Sequence, residues 1–349
     1  MPLITDYTHV KEIYMETSEQ GIALPTFCAE DRETLEAILA SALEMGKVTG
    51  VQDIPIIPAW TCRYPPRGQM KLLTVCGDPI LGMNLMLSDL KAFMGQTSPY
   101  RKLRVLPHLD HAFPWLDGDI LEKYVDCFAS VMCDASEKPF EENIRLTAQY
   151  VEKVKDKVVV EGAVDEIFEA GSNKQKNEAT TVEQSERFLA QTGVDIIVPN
   201  VGTEHRATVN SVKYCGNRAR EISKAVGKIL CLHGTSSLKP EDINYLPDDG
   251  FIKVNIYTSL AVHGGQAVAY NVLNNLGNIF SENQLKDLIN QKVLGGNVPH
   301  TDSGETCSPI KQPKLKYVAN PPRRDAWFSA VRDQCCYFLE HLNYRQFQK

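Results

Sequence analysis

Short runs rich in Val, Ile and Leu alternate along this chain with amphipathic stretches, and that alternation leaves few folds open. The runs lie at residues 48–54, 104–109, 130–133, 158–161, 194–199, 229–232 and 252–256. Each reads as a strand buried on both faces. Amphipathic stretches occupy 31–45, 116–128, 140–155, 181–192 and 217–226. Phe140, Ile144, Ala148 and Val151 follow helical spacing. Thr180 or Thr181, with Glu183 or Gln184 in the first turn, marks a helix start. Strands that alternate with helices run parallel, joined by right-handed crossovers. Residues 25–28, after an amphipathic 10–20, supply an eighth strand. Eight such units predict an α/β protein, a (β/α)8 TIM barrel with a closed parallel sheet. No G-x-G-x-x-G follows the early strands, which disfavours a dinucleotide-binding sheet. The 349 residues suit one barrel domain, 1–349, with insertions.

Two segments rich in proline and polar residues, 55–69 and 295–324, interrupt the alternation. They are expected to be long loops that act as lid or subunit contact. Helical periodicity returns over 325–342 through Trp327, Val331, Cys335 and Phe338. The net charge of −7 is dispersed, which argues against nucleic acid as a partner. No run approaches about 18 apolar residues, so no membrane span is expected. The N-terminus lacks a basic segment followed by an apolar run, so no signal peptide is expected. Ten cysteines without a C-x-x-C pair fit buried thiols in a cytoplasmic protein.

Barrel proteins carry their chemistry at the C-terminal strand ends. Of eight histidines, His111, His205 and His233 each follow a different predicted strand. Three neutral imidazoles that leave one position open are what a catalytic Zn2+ requires, with other divalent metals also accommodated. Asp110, beside one proposed ligand, is placed to act as general acid or base.

Several motifs carry a family resemblance. P-H-L-D-H-A (107–112) resembles the H-x-D-H motif of class II, zinc-dependent fructose-bisphosphate and tagatose-bisphosphate aldolases. S-V-M-C-D-A-S (130–136) with P-F-E-E-N (139–143), and T-G-V-D (192–195) with V-G-T-E-H (201–205), are similar to further segments of that family. So are L-H-G-T-S (232–236) and the K-V-N-I of 253–256 with Thr258. The matches keep family order from about residue 10 to 345. The resemblance implies one Zn2+ per chain on His111, His205 and His233. Asp110 would move the proton at the cleaved C–C bond, through a zinc-stabilised enediolate. His108 would orient that constellation, and Asp134 and Glu161 match acids near the metal or a possible second metal. Gly202, Gly234, Ser236, Asn255 and Thr258 match positions that hold the substrate. A small keto or hydroxy substrate, phosphorylated, and a homodimer or homotetramer are also implied.

Departures cluster where substrate is held. The family's D-T-D-L-R reads Tyr257-Thr-Ser-Leu-Ala261, which removes the Arg that meets a distal phosphate. In the E-x-E segment the second Glu is Ala163, and Asp165, Glu166 and Glu169 are candidate replacement acids. Arg206 follows the second metal histidine. The expected activity is therefore aldol cleavage or condensation of a substrate other than fructose 1,6-bisphosphate, either a ketose monophosphate or a non-phosphorylated aldol partner. A metal-dependent epimerase or hydrolase on the same barrel, or a non-catalytic aldolase-like binding protein, are the alternatives.

Overall fold

The structure is a computed structural model that describes residues 3–168, 170, 179–205, 214–294 and 315–347. These form two compact units, Met1–Ser259 with Cys335–Lys349, and Leu260–Gln334.

The first unit holds eight parallel strands: β1 (Leu24–Cys28), β2 (Pro55–Thr61), β3 (His108–Ala112), β4 (Ser130–Cys133), β5 (Val159–Ala163), β6 (Ile196–Val198), β7 (Leu230–Leu232) and β8 (Phe251–Ile256). Each pairs with the next, and Thr26 of β1 pairs with both Ile57 of β2 and Asn255 of β8, which closes the barrel. All residues of these strands are buried, as expected for runs apolar on both faces. Helices lie between the strands. The start of the helix Val182–Thr192 is a capping box: Thr181 accepts from the Gln184 backbone, and Gln184 from the Thr181 backbone.

One strand lies elsewhere than the sequence predicts. Residues 48–54 are not a strand: the helix Arg32–Thr49 runs into them and ends at Gly50, whose φ is +78°. Val48 is exposed on the last helical turn. The strand is Pro55–Thr61, within the stretch expected to be loop. Proline cannot donate to a sheet ladder and is a poor strand residue. Here Pro55 takes the first position, and Pro58 gives up one donor while staying buried.

β3 also starts later than predicted. Arg104–Val105 forms a separate two-residue strand beside Pro55 and Ile56. Asp110 and His111 therefore lie inside β3, where neighbouring side chains ordinarily point to opposite faces. The β3–β4 register shifts between Leu109 and Ala112, and His111 has φ +44°. This irregularity lets both side chains reach the same mouth.

In the second unit, Gly264 of the helix Thr258–Asn274 lies against Trp327, where a Cβ would come within 2.8 Å of the indole. The helix expected over 325–342 spans Pro321–His341. Of the segment 295–324, residues 295–314 lie outside the described residues, as do Glu169 and Arg206.

Candidate active site

A cavity opens at the C-terminal strand ends, and Asp110, His111, His205 and His233 line it. β3 supplies Asp110 and His111. His205 and His233 sit just beyond β6 and β7. The ring centroids of His111 lie 5.1 Å from His205 and 4.9 Å from His233, and those of His205 and His233 are 5.7 Å apart. Each ring offers one nitrogen, and the three nitrogens lie within 4.8 Å of one another.

Neighbouring carboxylates fix which nitrogens face inward. His111 Nδ1 is 2.7 Å from Asp134 Oδ2, which leaves its Nε2 for the centre. Asp134 is itself held through Oδ1 by the Ser136 backbone N–H and hydroxyl. His233 Nε2 is 3.0 Å from Glu161 Oε1, which leaves Nδ1. Tyr64 stacks on His111 at 4.4 Å. Burial, together with the charges of His111 and His233, holds the His205 pKa well below its ordinary value. Burial would also lower His111, but Asp110 and Asp134 outweigh it and push it up to about 9. The same carboxylates favour a bound cation. Three convergent imidazoles, two of them braced by acids, are the donor set of a Zn2+ centre, so these residues fit the ion that the sequence implies.

Beneath the histidines lies a buried polar network. Asp110 Oδ1 accepts from Asn255 Nδ2 at 2.9 Å, and the Cys28 thiol lies 3.6 Å from Oδ2. The Lys253 ammonium is fully buried, 2.9 Å from Glu161 Oε2, and donates to Asn255 Oδ1 at 2.6 Å. It also approaches His108 Nε2 at 3.4 Å, and His108 Nδ1 meets Ser130 Oγ at 2.8 Å. Burial would raise the Asp110 pKa, but His111, His108 and His233 hold it well below the usual range. Burial would likewise raise Glu161, and Lys253 and His233 reverse the shift. Both acids are carboxylates at neutral pH.

The expected substrate positions are only partly gathered. Gly234, Ser236, Asn255 and Thr258 line the cavity. Gly202 does not: its N–H donates to Asn200 Oδ1 at 2.9 Å. Gly234 has φ +74°, and an added Cβ would lie 2.8 Å from the Glu204 carbonyl oxygen. Gly234→Ala is expected to destabilise the fold by about 1–3 kcal/mol. Unchanged denaturant unfolding would contradict this reading of the turn.

Asp165 and Glu166 line an adjoining cavity shared with His111, His205 and Ala163. Tyr257 donates to Glu30 Oε1 at 2.8 Å. Sequence reasoning gave no site role to Tyr64, Arg67, Gln69 or Cys28, all of which line the first cavity, nor to Lys253 below it. Lys253 and Asn255 share one motif two residues apart, which was the available signal for the lysine.

A sequence profile described as Fructose-bisphosphate aldolase class-II matches residues 8–294. A fructose-bisphosphate aldolase from Staphylococcus epidermidis is 27% identical over 284 residues, covering 79% of this chain and 87% of the relative. The crystal structure of fructose-bisphosphate aldolase from Campylobacter jejuni superposes with a TM-score of 0.72 at 19% identity, over 98% of this chain and 95% of that one. The YdjI aldolase from Escherichia coli K12 gives a TM-score of 0.63 at 19% identity, over 96% of each chain. These structural likenesses bear on the fold, a closed barrel of the same kind.

Proposed function

The chain belongs to the class II fructose-bisphosphate aldolase family, and on that premise we propose that it is a zinc-dependent lyase that breaks or forms the C–C bond of a phosphorylated hydroxy-ketone. The observation that carries this reading is the meeting of His111, His205 and His233 beside the Asp110 carboxylate. His111, His205 and His233 would hold the ion. When bound, it would supply Lewis-acid polarisation of the substrate carbonyl and offset the negative charge that develops as the bond breaks.

The chain's own residues supply the rest. Asp110 accepts the proton of the hydroxyl at the breaking bond and returns it in condensation. Asn255 fixes Oδ1 of that carboxylate, and Lys253 fixes Asn255 in turn. Asp134 and Glu161 set the tautomer and orientation of two imidazoles. Their hydrogen bonds favour that role over a second metal. Gly234, Ser236 and Thr258 are the candidates for holding the substrate from the loops after β7 and β8.

Ala261 offers no guanidinium for a distal phosphate, which favours a substrate other than fructose 1,6-bisphosphate. Among the described residues all nine cysteines are free thiols and no helix is long and apolar enough to cross a membrane; a cytoplasmic setting is proposed. A homodimer or homotetramer is the assembly proposed, and a monomeric mass in light scattering would contradict it.

Removing metal with EDTA is expected to abolish cleavage, and added Zn2+ to restore it. Full activity in metal-free protein would overturn the proposal. Exchange of solvent hydrogen at carbon without fragmentation would instead favour an epimerase.

A further inference from the structure

We propose that Arg67 is the residue that grips the substrate's phosphate, on the β8–β1–β2 side of the mouth. This rests on the hydroxy-ketone reading above and adds the position of the anion subsite. Among the described residues lining the cavity at the histidines, Arg67 is the one Lys or Arg. It is thus the only permanent side-chain cation offered to a substrate by that set.

Its placement is built rather than incidental. Arg67 follows β2, Glu30 follows β1 and Tyr257 follows β8, and these three strands are neighbours in the barrel. Arg67 is ion-paired with Glu30, and its guanidinium lies over the Tyr257 ring, 5.0 Å from the centroid. Tyr257 completes the triangle by donating to Glu30 Oε1 at 2.8 Å. The Thr61 hydroxyl donates to the Arg67 carbonyl, which anchors the backbone at the same point. A planar cation stacked on an aromatic face and held at one edge is pre-organised, so little rotamer entropy remains to be lost on binding.

The fork is also not used up. Arg67 Nε–H is buried and has no hydrogen-bond acceptor among the described residues. A buried donor without an acceptor is costly, which favours a small shift of the guanidinium toward an arriving ligand oxygen. A phosphate oxygen, a strong acceptor, suits the guanidinium N–H groups that Glu30 does not hold. The Glu30 carboxylate, in contact with the same group, tempers the charge and sets the angle at which the fork is presented.

Calorimetry on the zinc-loaded full chain tests the assignment with two ketones, dihydroxyacetone phosphate and dihydroxyacetone. Arg67→Met, which keeps the apolar stem over Tyr257, is expected to weaken the phosphorylated ketone about 10- to 100-fold. The neutral ketone should change by less than about twofold. Arg67→Lys should fall between, since it keeps charge but loses the fork. Equal losses for both ketones would make Arg67 merely structural, and no loss for the phosphorylated one would place the anion elsewhere; either overturns the proposal. If neither ketone binds the unmodified protein, the hydroxy-ketone reading fails, and inorganic phosphate then decides for Arg67. Phosphate binding that Arg67→Met abolishes would sustain the subsite. Phosphate binding that is absent, or indifferent to the substitution, would end it.

Discussion

Asp110→Asn is expected to slow C–C cleavage about 10²- to 10⁴-fold, the usual worth of a positioned general acid or base, while zinc content stays at one ion per chain. The substitution keeps the size of the side chain and an oxygen that can accept from Asn255 Nδ2, as Asp110 Oδ1 does at 2.9 Å. It removes the basic oxygen. Asp110 is held ionised, against its burial, by His111, His108 and His233, so the reactive form is the resident one. The two braced imidazoles keep their partners, because Asp134 and Glu161 hold His111 and His233 without using Asp110. Steady-state kinetics together with zinc analysis reads both halves. A variant within about tenfold of the parent rate would remove Asp110 from the proton-transfer step.

Lys253→Met is expected to cost about 3–5 kcal/mol of stability, because it strands a buried carboxylate. Lys253 and Glu161 are both fully buried, with the ammonium 2.9 Å from Oε2. Removing the cation leaves Glu161 facing the His233 ring and the Cys231 thiol. Asn255 also loses the 2.6 Å bond that orients it toward Asp110. Zinc affinity should fall about 10- to 100-fold in the folded fraction, since Glu161, no longer anchored by the ammonium at Oε2, holds His233 less firmly in one orientation. Adding Glu161→Gln to Lys253→Met should recover part of the stability, which separates a stranded charge from lost packing. Urea unfolding of the two variants makes the comparison. A cost below about 1 kcal/mol for Lys253→Met would show that water or rearrangement relieves the charge.

Much of the barrel could be read from the chain because parallel strands covered on both sides leave plain apolar runs. Ser130–Cys133 and Phe251–Ile256 are such runs, and the structure places them close to where periodicity put them. The start of Val182–Thr192 was equally legible, because the Thr181 and Gln184 side chains carry the capping signal themselves. β2 was hidden by chemistry that usually argues against a strand. Pro55 and Pro58 lack donors, and only the neighbouring strands of a closed barrel make Pro55–Thr61 regular.

The histidines and Asp110 were visible as polar residues at or near the ends of apolar runs. What joins them was not. Lys253 meets Glu161 from a different strand, and a contact between β8 and β5 has no local signature. The register shift that turns both Asp110 and His111 to the mouth is a property of β3 against β4, not of either sequence alone. Gly202 shows the converse. It sits in a motif suited to receiving an anion, yet its N–H is already given to the Asn200 side chain.

Anomalous diffraction at the zinc edge, on crystals of the metal-loaded chain, bears most directly on the central claim. The arrangement predicts one dominant peak per chain, bonded at about 2.1 Å to nitrogens of His111, His205 and His233. A peak that engages other residues, or fully loaded protein with the three rings sharing no ion, would contradict it.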